Sequence, residues 1–281
     1  MDKLDVFRSI ASQASHGELS FPTNVNASLR IQRTLEDPEC HVEAAVKLIS
    51  ADPLLSARTV AIANSAAYNP SGRDISNVRV AVSRLGFRTL RSLVAAMIVR
   101  QFAEKLSDPV LRSKSNQLWE HSAHVAALAF VIAKRISKVD PETAFFAGIV
   151  HEVGGFYLLS RAQDYPGLLD GDIEAWREYG ERAIGRGVMK QLGLPEEVTK
   201  AMEEVWFASC ILPPCSLGDT LRLAKDLAPV AAPWGAGDGS ASAFESISPM
   251  IDFECGDGTL QSILEESADD VRSLTAALLI S

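Results

Sequence analysis

The sequence predicts an all-α fold, a helical bundle, on three observations. Apolar residues recur at the i, i+3, i+4, i+7 spacing of a buried helix face along most of the chain. Asp52-Pro53, Asp108-Pro109 and Asp140-Pro141 each set a capping carboxylate before a proline whose missing N–H costs nothing in a first turn. No alternating run of four or more residues reads as a strand.

In chain order, residues 1–16 read as an amino-terminal helix. Val42, Ala45, Val46 and Ile49 form the buried face of another, and the helix capped by Asp52 continues through Leu54, Leu55, Ala57, Val60 and Ala61 to Asn64. Ile75, Val78, Val82 and Leu85 make the next stripe. Gly86 then stands where a left-handed cap residue belongs, before Phe87, Leu90, Val94, Met97 and Ile98 of the following helix. The polar stretch Ser107–Ser115 is expected to separate this group from a long helix beginning near Leu118, and Lys138-Val-Asp-Pro to be only a turn. A later helix is expected over Leu217–Leu227, with an Ala, Gly, Ser and Pro-rich linker from Pro229 to Pro249. Ile263, Leu264, Val271, Leu274 and Leu278 then predict one tail helix from Leu260 to Ile280.

With 281 residues, 47% of them hydrophobic and 22% charged, the chain suits one large domain or two small ones, and excludes a fibrous or largely disordered protein. The net charge of −9 is unevenly spread. Residues 1–135 carry 17 Lys plus Arg against 12 Asp plus Glu, whereas residues 136–281 carry 10 against 24, so the halves should attract different partners. Residues 231–281 hold nine acidic residues and one Arg, and this tail could dock on the basic amino-terminal half, within the molecule or across a homodimer. Cys40, Cys210, Cys215 and Cys255 form no CxxC pair, which argues against a zinc knuckle or a thioredoxin-like site and for free thiols. No uncharged run approaches the roughly 20 apolar residues of a membrane span, and the first residues lack the apolar stretch of a secretory signal. A cytoplasmic location without membrane contact is the expectation.

The chemistry centres on His151-Glu152, which follow the long helix that carries His121 and His124. One imidazole from the long helix, a histidine–carboxylate pair from the next and a further carboxylate from a later helix could converge on a divalent cation, which would polarise a phosphoryl oxygen and lower the pKa of bound water. His121 and His124 share a helix face, and either could be the inward one. Gly154-Gly155 lack the spacing and the Lys of a phosphate-binding loop.

The segments Phe21-Pro-Thr, Leu48-Ile-Ser-Ala-Asp-Pro-Leu-Leu-Ser-Ala-Arg, Ala63-Asn-Ser-Ala-Ala-Tyr, Ala81-Val-Ser-Arg-Leu-Gly-Phe-Arg-Thr-Leu-Arg, Leu118-Trp-Glu-His-Ser and Leu192-Gly-Leu-Pro-Glu-Glu resemble the HDOD domain, a relative of the HD-type metal-dependent phosphohydrolases. The likeness runs over about residues 17–230. It implies an amino-terminal helical subdomain over 17–106 and an HD-like subdomain over 107–230; residues 231–281 lie outside it and read as an acidic linker and a tail helix. It also implies a regulatory role in signalling through a protein partner.

Matched residue by residue, the metal pattern is half kept. His121 and His151 take the places of the two imidazoles, Glu152 stands where the enzymes carry Asp, and Lys225 aligns with the last Asp. Asp226 is one residue away, about 100° around the helix, and Asp219 lies further back. Gly155 stands where the enzymes often carry a Lys. A vestigial site is expected, with the Lys225 ammonium paired to Glu152 in the metal's electrostatic place, no catalysis and no cofactor. The alternative is a phosphohydrolase using iron, manganese or zinc on a nucleotide or phosphate ester.

Arg84, Arg88 and Arg91 fall along one face and could serve an anion or an acidic partner segment. An acidic chain with no Lys/Arg run argues against nucleic acid. Asn64, Ser65 and Tyr68 belong to the family's most recognisable string, where a structural role in ending a helix suffices and a binding surface is the alternative. Trp176, Tyr179, Trp206 and Phe207 are expected in the core.

Overall fold

The computed structural model describes residues 3–19, 21, 23–170, 179, 182–207, 211–234, 247, 251–252 and 259–280. The described residues form helices and no strands. In order these are α1 (Lys3–His16), α2 (Thr23–Glu36), α3 (Val42–Ser50), α4 (Pro53–Asn64), α5 (Val78–Gln101), α6 (Pro109–Ile132), α7 (Pro141–Val150), α8 (Val153–Ala162), α9 (Gly185–Leu192), α10 (Glu196–Phe207), α11 (Leu217–Leu227), α12 (Leu260–Glu266) and α13 (Ala268–Leu279). A π-helical turn, Ala133–Ser137, follows α6 and ends on Lys138 at φ 58°.

The three Asp-Pro pairs start α4, α6 and α7. Asp52, Asp108 and Asp140 accept hydrogen bonds from the backbone N–H groups of Leu55, Val110 and Thr143, each supplying an acceptor that the first helical turn lacks. Helix α6 therefore begins at Pro109, not near Leu118. Its first turns read as a boundary because their outward face is polar, while Leu111 and Ser115 are already buried. Gly86 takes φ 70°, ψ 173° inside α5 and bends it. A Cβ there would meet nothing within 4 Å, so the position selects glycine by backbone conformation rather than by space.

The core runs along the second half of α5, the whole of α6 and both α7 and α8. Pro141–Ala162 is apolar enough to cross a membrane by length and composition, a property the run of uncharged residues did not reveal. In the fold it is two helices broken at His151-Glu152, with 83% of its most apolar window buried. Gly148 lets α7 lie directly on α6, because a Cβ there would stand 2.4 Å from the Ala126 Cα.

The tail is two helices, not one, because Ser267 interrupts it at φ −99°, ψ 6°. It docks within the molecule, on α6 and α4. Arg135 and Lys134 lie 2.6 and 3.9 Å from Glu266 and Asp270. Ser273 accepts a hydrogen bond from the Ala66 N–H at 3.0 Å, and the buried Arg58 donates to the Ile280 carbonyl at 2.8 Å. Tyr179 stacks on Phe7 and Trp206 is half-buried, whereas Phe207 is 58% exposed, contrary to expectation. It ends α10 in solvent, beneath the guanidinium groups of Arg182 and Arg186. Trp176, Cys210, Cys255 and most of the expected 229–249 linker lie outside the described residues. Cys40 and Cys215 are free thiols.

Candidate metal centre

Helices α6 and α7 are joined by a short connection and so run antiparallel, and the Gly148–Ala126 contact fixes their register. Three residues beyond Gly148, the end of α7 then falls within a turn of His121. His151 ends α7 and Glu152, at φ −104°, ψ 20°, starts α8, so the helix break turns both side chains towards α6. Helix α11 packs across α6 and α7 and brings in Lys225 from its last turn.

His121, His151 and Glu152 are 3%, 8% and 2% exposed. Their ligand atoms lie within 4.8 Å of one another, so this His-His-Glu cluster could hold a metal ion. His121, not His124, is the inward histidine of α6. Each ring is oriented by a backbone acceptor: His121 Nδ1 is 2.7 Å from the Val230 carbonyl oxygen and His151 Nδ1 is 2.7 Å from that of Gly148. A carbonyl can only accept, so each Nδ1 carries the proton and each Nε2 presents a lone pair. These two Nε2 atoms stand 3.3 Å apart, and His151 Nε2 is 3.7 Å from Glu152 Oε1. Adjacent ligands on a four-coordinate ion with bonds near 2.0–2.1 Å are separated by roughly 3.3 Å. By spacing and tautomer, the three donors fit one ion.

By charge they do not. Lys225 Nζ lies 3.1 Å from Glu152 Oε1, and its side chain is only 25% exposed. With both imidazoles neutral, carboxylate and ammonium cancel. A divalent ion on the same donors would leave two uncompensated positive charges among buried groups, which a low-dielectric interior strongly disfavours. Asp226 and Asp219 do not restore the balance. Asp226 is not among the clustered donors, and Asp219 forms a capping box with Ser216 at the start of α11.

The same groups set an acid sensitivity. Burial, and then the nearby Lys225, push the His151 imidazole down from 6.5 to about 3, and burial lowers His121 as well. Burial alone would raise the Glu152 carboxyl, yet Lys225, His151 and His121 together hold it below its ordinary value. Below pH 6.5 the unfolded histidines take up protons that the folded ones refuse, so stability is lost as pH falls from 6.5 towards 3. Glu152 acts in the same direction, because its contribution is present above 4.5 and lost as pH falls through its lower folded value. Urea unfolding at about pH 7 and about pH 5 should differ by about 1.4 kcal/mol per pH unit for each histidine that stays neutral. His151→Asn should flatten that slope, and an unchanged slope would mean that His151 is protonated in the fold.

Two contributors were missed by the sequence reading, and both lie in its expected linker. Val230 supplies the carbonyl that orients His121, and Trp234 packs against Gly155, where a Cβ would come within 2.5 Å of the indole. Residues 229–234 are therefore a wall of the centre, further tied down by the Gln117 side chain on the Ala231 carbonyl at 2.9 Å. A glycine in place of a long side chain, and a single tryptophan in a run of small residues, were the available signals.

The other candidates separate. Asn64 bridges to both backbone groups of Ile75, at 2.6 and 2.8 Å, and Ser65 Oγ donates to the Ile62 carbonyl at 2.7 Å, so both close the end of α4. Tyr68 instead reaches across to Glu142, its hydroxyl donating at 2.5 Å. The arginines do not form one anion face. Arg84 is held by Asn69 and the Tyr68 carbonyl, whereas Arg88, paired with Asp140 at 3.2 Å, and Arg91 line a cavity. The bend at Gly86 parts the first from the other two.

A family model of the HDOD domain matches residues 21–206. The chain belongs to the HDOD family. A protein of Treponema pallidum (strain Nichols) without a described function is 25% identical to this HDOD chain over 185 residues, 60% of this chain and 34% of its own length, so the chain spans about a third of that curated relative. A solved structure from Shewanella amazonensis SB2B, provisionally named a metal-dependent phosphohydrolase, shares the fold at a TM-score of 0.75 and 22% identity, covering 98% of this chain and 99% of its own. An HDOD domain protein of unknown function from Geobacter sulfurreducens does so at 0.64 and 21%, covering 98% of each chain. A protein from Marinobacter aquaeolei VT8, provisionally named for signal transduction, gives 0.61 and 19%, covering 99% of this chain and 66% of its own. At these identities the likeness establishes the fold.

Proposed function

We propose that this HDOD protein is a non-catalytic regulatory module that acts through a protein partner, and that Lys225 stands in for the metal of the phosphohydrolases. The observation that carries the reading is the 3.1 Å contact between Lys225 Nζ and Glu152 Oε1, which neutralises the buried centre without an ion. The ion pair and the two oriented imidazoles then hold α6, α7, α8 and α11 together. Phe207, 58% exposed beneath the guanidinium groups of Arg182 and Arg186, offers an aromatic ring and arginines, residue types that anchor protein interfaces.

The second reading is a metal-dependent phosphohydrolase of the HD class, favoured by the convergence of the two unprotonated Nε2 atoms. It requires Lys225 to withdraw or lose its proton before His121, His151 and Glu152 could share an ion. Elemental analysis of protein purified without chelator or immobilised nickel, beside the His151→Ala variant, separates the two. The regulatory reading expects iron, manganese and zinc far below one per chain in both. Near-stoichiometric metal in the parent, lost in His151→Ala, would overturn it.

A further inference from the structure

A cavity of about 370 Å³ opens where α2, α5, α7 and the start of α10 meet. It shares no lining residue with the His-His-Glu centre, and Glu142 and His151 lie nine residues apart along α7, about 14 Å. Its size falls at the lower end of the roughly 300–1,000 Å³ of small-ligand sites.

Of the charged residues that line this cavity besides Arg88, Glu36 and Glu197 are exposed, whereas the half-buried Glu142 and Arg91 face it without meeting. Glu142 is fixed by two hydroxyl donors, Tyr68 on one oxygen at 2.5 Å and Thr89 on the other at 2.7 Å. Among the described residues no Lys, Arg or His nitrogen comes within ion-pair distance of it, and its burial raises its pKa despite both hydroxyls. Arg91, half-buried one turn along α5 from Arg88, has no hydrogen bond, ion pair or ring contact among the described residues. Arg88 is already held by Asp140. Phe146 and Val198 supply an apolar wall. A half-buried carboxylate and guanidinium kept apart on one cavity each lack the partner that low dielectric demands, and one molecule carrying both charges would supply both.

We propose that this cavity binds a small zwitterion of the α-amino acid class, its carboxylate on the Arg91 guanidinium and its ammonium on Glu142. Tyr68, from the family's most recognisable string, is then a positioning residue that aims Glu142 into the site. The proposal does not rest on the reading of the metal centre and holds for either outcome there.

The test is calorimetric titration of the full chain with a panel of free α-amino acids, each with its N-acetyl and amide derivatives. At least one free amino acid should bind, and blocking either its amine or its carboxylate should weaken it by about tenfold or more, the worth of a charge-assisted hydrogen bond. Arg91→Ala and Glu142→Gln should each weaken it by a similar factor. Absence of binding across the panel at millimolar concentration would overturn the proposal, as would binding indifferent to Arg91→Ala and Glu142→Gln.

Discussion

Lys225→Asp is expected to load the buried centre with a near-stoichiometric divalent ion. The two imidazoles already present lone pairs at the spacing of neighbouring ligands, and their Nδ1 atoms are already committed to the Val230 and Gly148 carbonyls. Oriented histidines of this kind need no rearrangement to ligate. What the parent lacks is negative charge, since Glu152 is offset by the ammonium 3.1 Å away. An aspartate at 225 would give two carboxylates and two neutral imidazoles, a set that a divalent ion neutralises. Lys225→Glu makes the same change of charge and keeps more of the lysine's reach, so at least one of the two should bind. Elemental analysis after dialysis against manganese, iron(II) or zinc reads the effect, and adding His151→Ala should abolish it. If both acidic variants fold, by circular dichroism, and stay metal-free, charge is not what excludes the ion.

The parts of this molecule that were legible in the sequence are those set by near neighbours. An Asp-Pro pair carries its own reason for starting a helix, and all three did. Gly86 announced its positive φ by being glycine between two apolar stripes. The pairing of Lys225 with Glu152 followed from aligning α11 with a family pattern, although only the fold could set the distance. Boundaries that depend on which face meets solvent were misplaced. Thus the polar first turns of α6 read as a junction, and the break at Ser267 passed unnoticed within a continuous apolar stripe. The carbonyl of Val230 could not have been found at all, because a backbone acceptor has no residue type to mark it. The split of the arginine face had the same origin: helical spacing counts through a glycine that the backbone does not follow.

Lys225→Met should destabilise the fold by about 3–5 kcal/mol near pH 8, the usual cost of leaving a buried charge without its partner. Glu152 is 2% exposed, and its one ammonium partner in the described residues is Lys225, so the variant leaves a carboxylate facing two lone-pair nitrogens. Methionine keeps the aliphatic stem, which isolates the charge from the packing. The cost should shrink at about pH 6, because removing the ammonium lifts one of the influences that depress His151 and His121, while Glu152 continues to favour their protonated forms. Burial, the largest influence, still holds both histidines below their unfolded value, so the variant loses stability on acidification as the parent does, but less steeply. Glu152→Gln in the same chain should recover most of the loss, as removing both charges of a buried pair commonly does. Chemical unfolding of the four chains at the two pH values completes the cycle. A penalty below about 1 kcal/mol near pH 8 would place the pair among the weak surface bridges and remove the argument that it holds the centre together.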